Sequence, residues 1–133
     1  MSDRAPAGIV LAHGDLAAAL VEAVQLISGR GDRLLALSNR GLGAPEIEAL
    51  LREHVEATGA HVVFTDLPAG SCSFAACRIL RDHPEVTVVG GVNLPALLQF
   101  ATHDELPPEE AAATGVDRGA AALRLLPGAP RGR

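Results

Sequence analysis

His13, Asp66 and the Gly70-Ser71 pair are the residues of this chain whose types and positions could do chemistry together. His13 directly follows Gly8-Ile9-Val10-Leu11-Ala12, a short aliphatic run that reads as a strand covered on both faces. A neutral imidazole is a good nucleophile when one ring nitrogen holds the proton and the other faces the electrophile. A carboxylate bonded to the first nitrogen fixes that tautomer and stabilises the positive charge that develops. Asp66 follows a second buried run, Val62-Val63-Phe64-Thr65, and is the natural orienting group. Beyond it, Leu67-Pro68-Ala69-Gly70-Ser71 leads into a helix whose amides, hydroxyl and dipole suit an anion, phosphate above all. Gly14 lets the backbone turn tightly beside the ring. A nucleophilic histidine, an acid to orient it and an anion cradle point to phosphoryl transfer through a phosphohistidine. His13 and Asp66 are then the catalytic candidates, and Gly14, Gly70 and Ser71 the phosphate contacts. Each piece also has a plain structural use: Ser71 and Asp15 as helix caps, Asp66 as a loop cap, the glycines as turns.

Positions 13 and 66 can act together only if the elements around them bring them to one place. Strand and helix signals alternate along the whole chain. Strand one spans residues 7–13 and helix one 15–28, ended by Gly29 and Gly31. Arg33 to Leu37 is strand two. Pro45 opens helix two, where Ile47, Leu50, Leu51 and Val55 share a face before Gly59 stops it. Strand three is His61 to Thr65, and helix three runs from a Ser71 cap to Asp82. Strand four is Val86 to Val89, Asn93 caps a short fourth helix, and Pro107-Pro108 open a fifth with Glu109 and Glu110 in its first turn. Gly119 to Leu126 fits a helix continuation or a last edge strand, and residues 127–133 are expected to form a disordered tail. Residues 1–126 read as a single domain.

Four βα units predict an α/β fold, a flavodoxin-like open parallel sheet with helices on both faces. Right-handed crossovers leave few strand orders, and 2-1-3-4 is the commonest at this size. That order sets the ends of strands one and three side by side, and His13 beside Asp66.

Composition removes other classes. The chain has 133 residues, and 48% hydrophobic residues with only 20% charged ones exclude a disordered chain. A net charge of −5 without a basic patch argues against nucleic acid as partner. Cys72 and Cys77, five apart, suit neither redox pairing nor paired metal ligation, and both are expected as buried structural thiols. His54 is expected to face solvent, and His83 and His103 to meet carbonyls at helix ends. His54, His61, His83 and His103 each lack a second histidine or cysteine at ligand spacing, so no metal site and no cofactor are expected. No apolar run approaches a bilayer-spanning length and the N-terminus does not read as a signal peptide, so the expectation is a cytoplasmic protein.

The segments AHGDLAAALVEAVQLISG, TDLPAGSCSFAACRIL and VVGGVNLPALL resemble the enzyme IIA domain of the mannose-type sugar phosphotransferase system (the mannose/fructose/sorbose family). They fall in the family's order and spacing, and the resemblance covers residues 7–126. It implies that His13 accepts a phosphoryl group from an HPr-like phosphocarrier and passes it to a IIB component. Asp66 would match the aspartate that bonds the histidine, and Gly70 and Ser71 would touch the phosphoryl group. It also implies a homodimer, in some members through an exchanged C-terminal strand that would here be Ala120 to Leu126, and membrane contact only through a IIC/IID complex. The chain departs from the family in the loop after the aspartate. It reads Ala69-Gly70-Ser71-Cys72-Ser73-Phe74 where the family often has Gly-Gly-Ser-Pro-Phe-Asn, and Pro68 replaces a frequent tryptophan. Two further readings stay open: the related phosphotransfer subunit of dihydroxyacetone kinase, whose histidine is usually followed by serine, and a regulatory module that binds a partner according to its phosphorylation state.

Overall fold

Aliphatic runs and amphipathic segments become the elements that their patterns predict. The computed structural model describes residues 5–128. Along the chain lie β1 (Gly8–Ala12), α1 (Leu16–Ser28), β2 (Leu34–Ser38), α2 (Ala44–Thr58), β3 (Val62–Thr65), α3 (Ser71–Ile79), β4 (Thr87–Gly90), α4 (Leu94–Thr102) and α5 (Pro108–Ala122). The four strands are parallel and ordered β2-β1-β3-β4. Because every strand points the same way, all four chain exits lie on one edge, and β1 and β3 are neighbours with Leu11 paired to Thr65.

Alternation along the strands divides the core into two layers. Ile9, Leu11 and Val63 face α2 and α3, meeting Ile47, Leu51, Val55, Ala75, Ala76 and Ile79. Val10, Ala12, Val62 and Phe64 face the other way, toward Val24 of α1, Leu97 and Phe100 of α4 and Ala111 of α5. With so few aromatics, the Phe64–Phe100 pair anchors that second layer, its centroids 5.0 Å apart and its rings at 73°. Gly8 is needed there, since a Cβ would come within 3.0 Å of both rings.

Several local expectations are corrected. The N-cap of α3 is Gly70, with Ser71 its first helical residue and no side-chain cap bond. That helix ends at Ile79 rather than Asp82, and the chain continues through turns into β4, which starts one residue later than expected. Asp15 occupies the N-cap of α1 without capping it by a side-chain bond; its carboxylate pairs instead with Arg40 at 3.0 Å. Asn93 does cap α4, accepting from the Ala96 amide at 3.0 Å, and its amide group donates to Gly119 O at 2.8 Å. Cys72 is buried as expected but Cys77 is exposed, being on the outer face of α3. Of the ambiguous segment, Gly119–Ala122 continue α5, while 123–128 are neither helix nor strand within the chain. Leu123, Leu125 and Leu126 there are exposed. The expected tail lies outside the described residues from 129 onward.

Close approach of α5 to α4 depends on two small positions. A Cβ at Gly115 would lie 2.8 Å from the Ala96 carbonyl oxygen, and one at Gly119 2.7 Å from Ala96 Cβ and Asn93 Oδ1. The obstacle at Gly115 is backbone, which cannot swing aside. Gly115→Val is therefore expected to lower unfolding stability by about 2 kcal/mol or more in urea titrations. Gly128→Ala, which meets nothing within 4 Å, should leave the midpoint unchanged.

Candidate active site

β1 delivers His13 and β3 delivers Asp66 to the same edge, one residue beyond their last paired positions. The Asp66 carboxylate takes two bonds on one oxygen: Oδ2 accepts from the His13 amide at 3.1 Å and lies 2.8 Å from His13 Nδ1. The aspartate side chain is only 10% exposed and the histidine side chain 48%, so a buried acid holds a ring that still reaches solvent. With Nδ1 committed to Asp66, Nε2 is the nitrogen left for an incoming electrophile.

The loops around the pair are themselves fixed. Gly14 takes φ +59°, which an L side chain rarely adopts, and its amide donates to Asn39 Oδ1 at 3.2 Å. Asn39 in turn donates its amide to Ala12 O at 3.2 Å, tying the exit of β2 to that of β1. Arg40 follows, and a Cβ on Gly14 would come within 3.2 Å of its guanidinium, so a cation stands beside the histidine turn. On the other side, Thr65 Oγ1 donates to Leu67 O at 2.9 Å and lies 3.1 Å from Ser73 Oγ, a buried polar link between the end of β3 and the first turn of α3. Gly90 closes against this loop so tightly that a Cβ would sit 2.8 Å from Pro68 Cα.

Gly70 has φ +116° and opens α3, and Ser71 is exposed in its first turn. The first amides of a helix have no partner within it and carry the positive end of its dipole. Cys72, the next residue, brings that helix start to the pair. Its Sγ, a His13 ring nitrogen and an Asp66 oxygen all lie within 4.8 Å of one another. The thiol is buried, as its sequence context predicts, and the fold places it beside the histidine. A groove of about 470 Å³ beside the same loop is lined by Pro68, Gly70, Ser71, Phe74 and Cys77, but not by His13.

Burial by itself would push the Asp66 carboxyl up, but the bonds from the His13 amide and the His13 ring, with the aspartate's own backbone amide, act the other way, and the net value is below the ordinary one. Asp66 is therefore ionised at neutral pH. The Cys72 thiol is raised, first by burial and then by the Asp66 charge, so it keeps its proton at neutral pH. The remaining histidines serve elsewhere. His54 is half-buried rather than solvent-facing, with Nδ1 2.9 Å from Leu50 O. His103 meets Gln99 O at 2.6 Å, as expected of a helix end. His83 instead bridges Glu56 and Glu85 at 2.9 and 3.2 Å, and those carboxylates raise its pKa.

Asn39, Arg40, Thr65, Ser73 and Cys72 were not among the residues expected from sequence. For the first two the available signal was their place just after a strand neighbouring β1; for the others it was nearness in sequence to Asp66 and Ser71.

A family model described as the PTS system fructose IIA component (EIIA-man) matches residues 8–114. The chain is 31% identical over 96 residues to the sorbose-specific EIIA component of a phosphotransferase system from Klebsiella pneumoniae, covering 69% of this chain and 70% of that one. Its fold is similar to the mannose/sorbose specific IIA subunit from Enterococcus faecalis, with a TM-score of 0.79 at 22% identity over 95% of this chain and 98% of that one. It is likewise similar to a phosphotransferase system EIIA component from Streptococcus agalactiae, with a TM-score of 0.79 at 16% identity over 88% and 94% of the two chains.

A depressed aspartate contributes stability that is present above its ordinary range and is lost as pH falls through the lowered folded-state value. Thermal unfolding should show Asp66→Asn less stable than the parent by about 1–3 kcal/mol at pH 7. The gap should close as pH falls below about 4. A gap unchanged at pH 3 would mean that the carboxylate charge is not what holds the ring.

Proposed function

The chain belongs to the EIIA-man family of phosphotransferase system IIA components, and from that premise we propose that it carries a phosphoryl group on His13 between an HPr-like phosphocarrier and a IIB component. It is thus a phosphotransferase component of a sugar phosphotransferase system, and Gly14 after the histidine with the Gly91-Val92-Asn93-Leu94-Pro95 segment favours the sugar-transport branch over the dihydroxyacetone kinase one. The observation that carries the reading is the 2.8 Å contact of His13 Nδ1 with a buried, ionised Asp66.

In the forward step the Nε2 lone pair attacks the phosphorus of the donor. The bond from phosphorus to the donor's nitrogen breaks, and its electrons return to the donor ring. The Nδ1 proton stays against Asp66, whose charge offsets the positive charge that spreads over the His13 ring. The transferring group keeps its negative charge throughout, so cations and free amides near the histidine lower the barrier. Arg40 and the first amides of α3, at Ser71 and Cys72, are the groups in position to do so. Passage to the IIB acceptor is the same displacement in reverse.

Carriers of this kind must dock proteins rather than enclose a small molecule. Leu16, Leu67 and Phe74 are large, apolar and exposed, and each stands within three residues of His13, Asp66 or Ser71. Such a rim suits the surface of a partner protein. The exposed Leu123, Leu125 and Leu126 support a homodimer in the same way. Among the described residues no helix is long and apolar enough to cross a membrane, which fits a cytoplasmic carrier reaching the membrane only through a IIC/IID complex.

Incubation with enzyme I, HPr and phosphoenolpyruvate should add one acid-labile, base-stable phosphoryl group. His13→Ala should abolish the label and His54→Ala should keep it; a label that persists in the first variant overturns the assignment. Stopped-flow transfer from phospho-HPr should slow by at least about tenfold in Asp66→Asn, and by roughly tenfold in Arg40→Gln, because one loses the charge that orients the ring and the other a cation near the phosphoryl group. Rates equal to the parent's would remove those two residues from the mechanism.

A further inference from the structure

Three donors of different chemistry converge where β1, β3 and α3 meet: an imidazole, a carboxylate and a thiol, from His13, Asp66 and Cys72. Among the described residues they form the one group of three such side chains whose ligand atoms lie within 4.8 Å of one another. One of the donors is also left incomplete. Asp66 Oδ2 takes both bonds from His13, while Oδ1 is buried and has no hydrogen-bond partner among the described residues. A buried carboxylate oxygen without a partner forfeits its solvation and calls for a ligand.

We propose that His13, Asp66 and Cys72 form a three-ligand site for zinc, and that zinc bound there blocks phosphoryl transfer at His13. The second half rests on the phosphohistidine reading; the first does not. Mixed nitrogen, oxygen and sulfur donors suit zinc, whereas magnesium and calcium require oxygen ligands. With bonds of about 2.0–2.3 Å, ligands of a tetrahedral zinc stand about 3–4 Å apart. Separations within 4.8 Å therefore need at most about an ångström of side-chain adjustment. The half-exposed His13 leaves the fourth position open to water.

On binding, the Cys72 S–H bond breaks, a zinc–sulfur bond forms and the thiol proton goes to solvent; where Nδ1 is the ring ligand, its own proton moves to Nε2, which then no longer offers a lone pair. The histidine nitrogen that joins the metal, and the aspartate that turns to it, are withdrawn from the arrangement that phosphoryl transfer needs. Metal and phosphoryl group then exclude one another, and each weakens the other by the same factor.

The test titrates the full chain with cobalt, a spectroscopic stand-in for zinc, in a Cys77→Ser background that removes the exposed thiol. A thiolate-to-metal absorption band saturating at one equivalent is expected, displaced by zinc and untouched by magnesium. Cys72→Ala should abolish the band, and His13→Ala, a change at a half-exposed position that spares the core, should weaken affinity by at least about tenfold. No saturable band, or one that survives Cys72→Ala, overturns the site. For the second half, labelling by phospho-HPr is compared with and without saturating zinc within each protein. The ratio should collapse in the parent and recover with chelator, and it should stay near one in Cys72→Ala. Equal labelling of the cobalt-competent parent with and without zinc overturns the block. A cobalt band in a protein that never labels at His13 would sustain the metal site and end the phosphohistidine reading instead.

Discussion

A single carboxylate oxygen, Asp66 Oδ2, holds both the backbone and the ring of His13. Two bonds on one atom fix the histidine in position and in orientation, and they do so from a side chain that is itself nearly out of solvent. The aspartate stays charged there because the two bonds from His13, with the aspartate's own backbone amide, outweigh the cost of burial. Remove either partner and the other loses its reason to be where it is. The outward-facing ring nitrogen would then sample solvent freely instead of presenting one face.

That contact demands rigid supports, and the rest of the molecule can be understood as supplying them. Parallel pairing of β1 and β3 sets the two chain exits side by side, and the alternating strand residues anchor each strand in two core layers. Around the exits, Asn39 joins the turn after β1 to the end of β2, and the Thr65–Ser73 link joins the end of β3 to α3. Further from the site, Asn93 and the small residues of α5 lock α4 in place beneath β4. What these supports leave accessible is the half-exposed imidazole, ringed by loops.

The electrostatics of the site run against those of the whole chain. A net charge of −5 would repel a phosphorylated donor at long range. Close to His13 the Asp66 and Asp15 carboxylates are met by the Arg40 guanidinium, which pairs with Asp15, and by the start of α3. Under the proposed function, partner recognition would lean on shape and on the exposed apolar rim of Leu16, Leu67 and Phe74. The thiol of Cys72 adds a softer donor to this hard, charged setting.

The sequence by itself determined the alternation of strands and helices, the parallel 2-1-3-4 sheet and the meeting of His13 with Asp66. Aliphatic runs, helical periodicity and the handedness of crossovers are local or near-universal constraints, and they can be read from one chain. Family membership was legible too, because three motifs recur in order at fixed spacing. Caps were less legible: Ser71 and Asp15 have the right chemistry for capping, yet Gly70 takes the cap of α3 and Asp15 turns to Arg40. Only the tertiary structure decided which other side chains reach the site. Asn39, Arg40 and Cys72 are separated from His13 by 26 to 59 residues, and no local pattern encodes the rotamers that bring them together. The same holds for the difference between the two cysteines. Their spacing of five puts Cys72 toward the sheet and Cys77 toward solvent only once the packed face of α3 is known, since burial belongs to the packed assembly and not to the residue type.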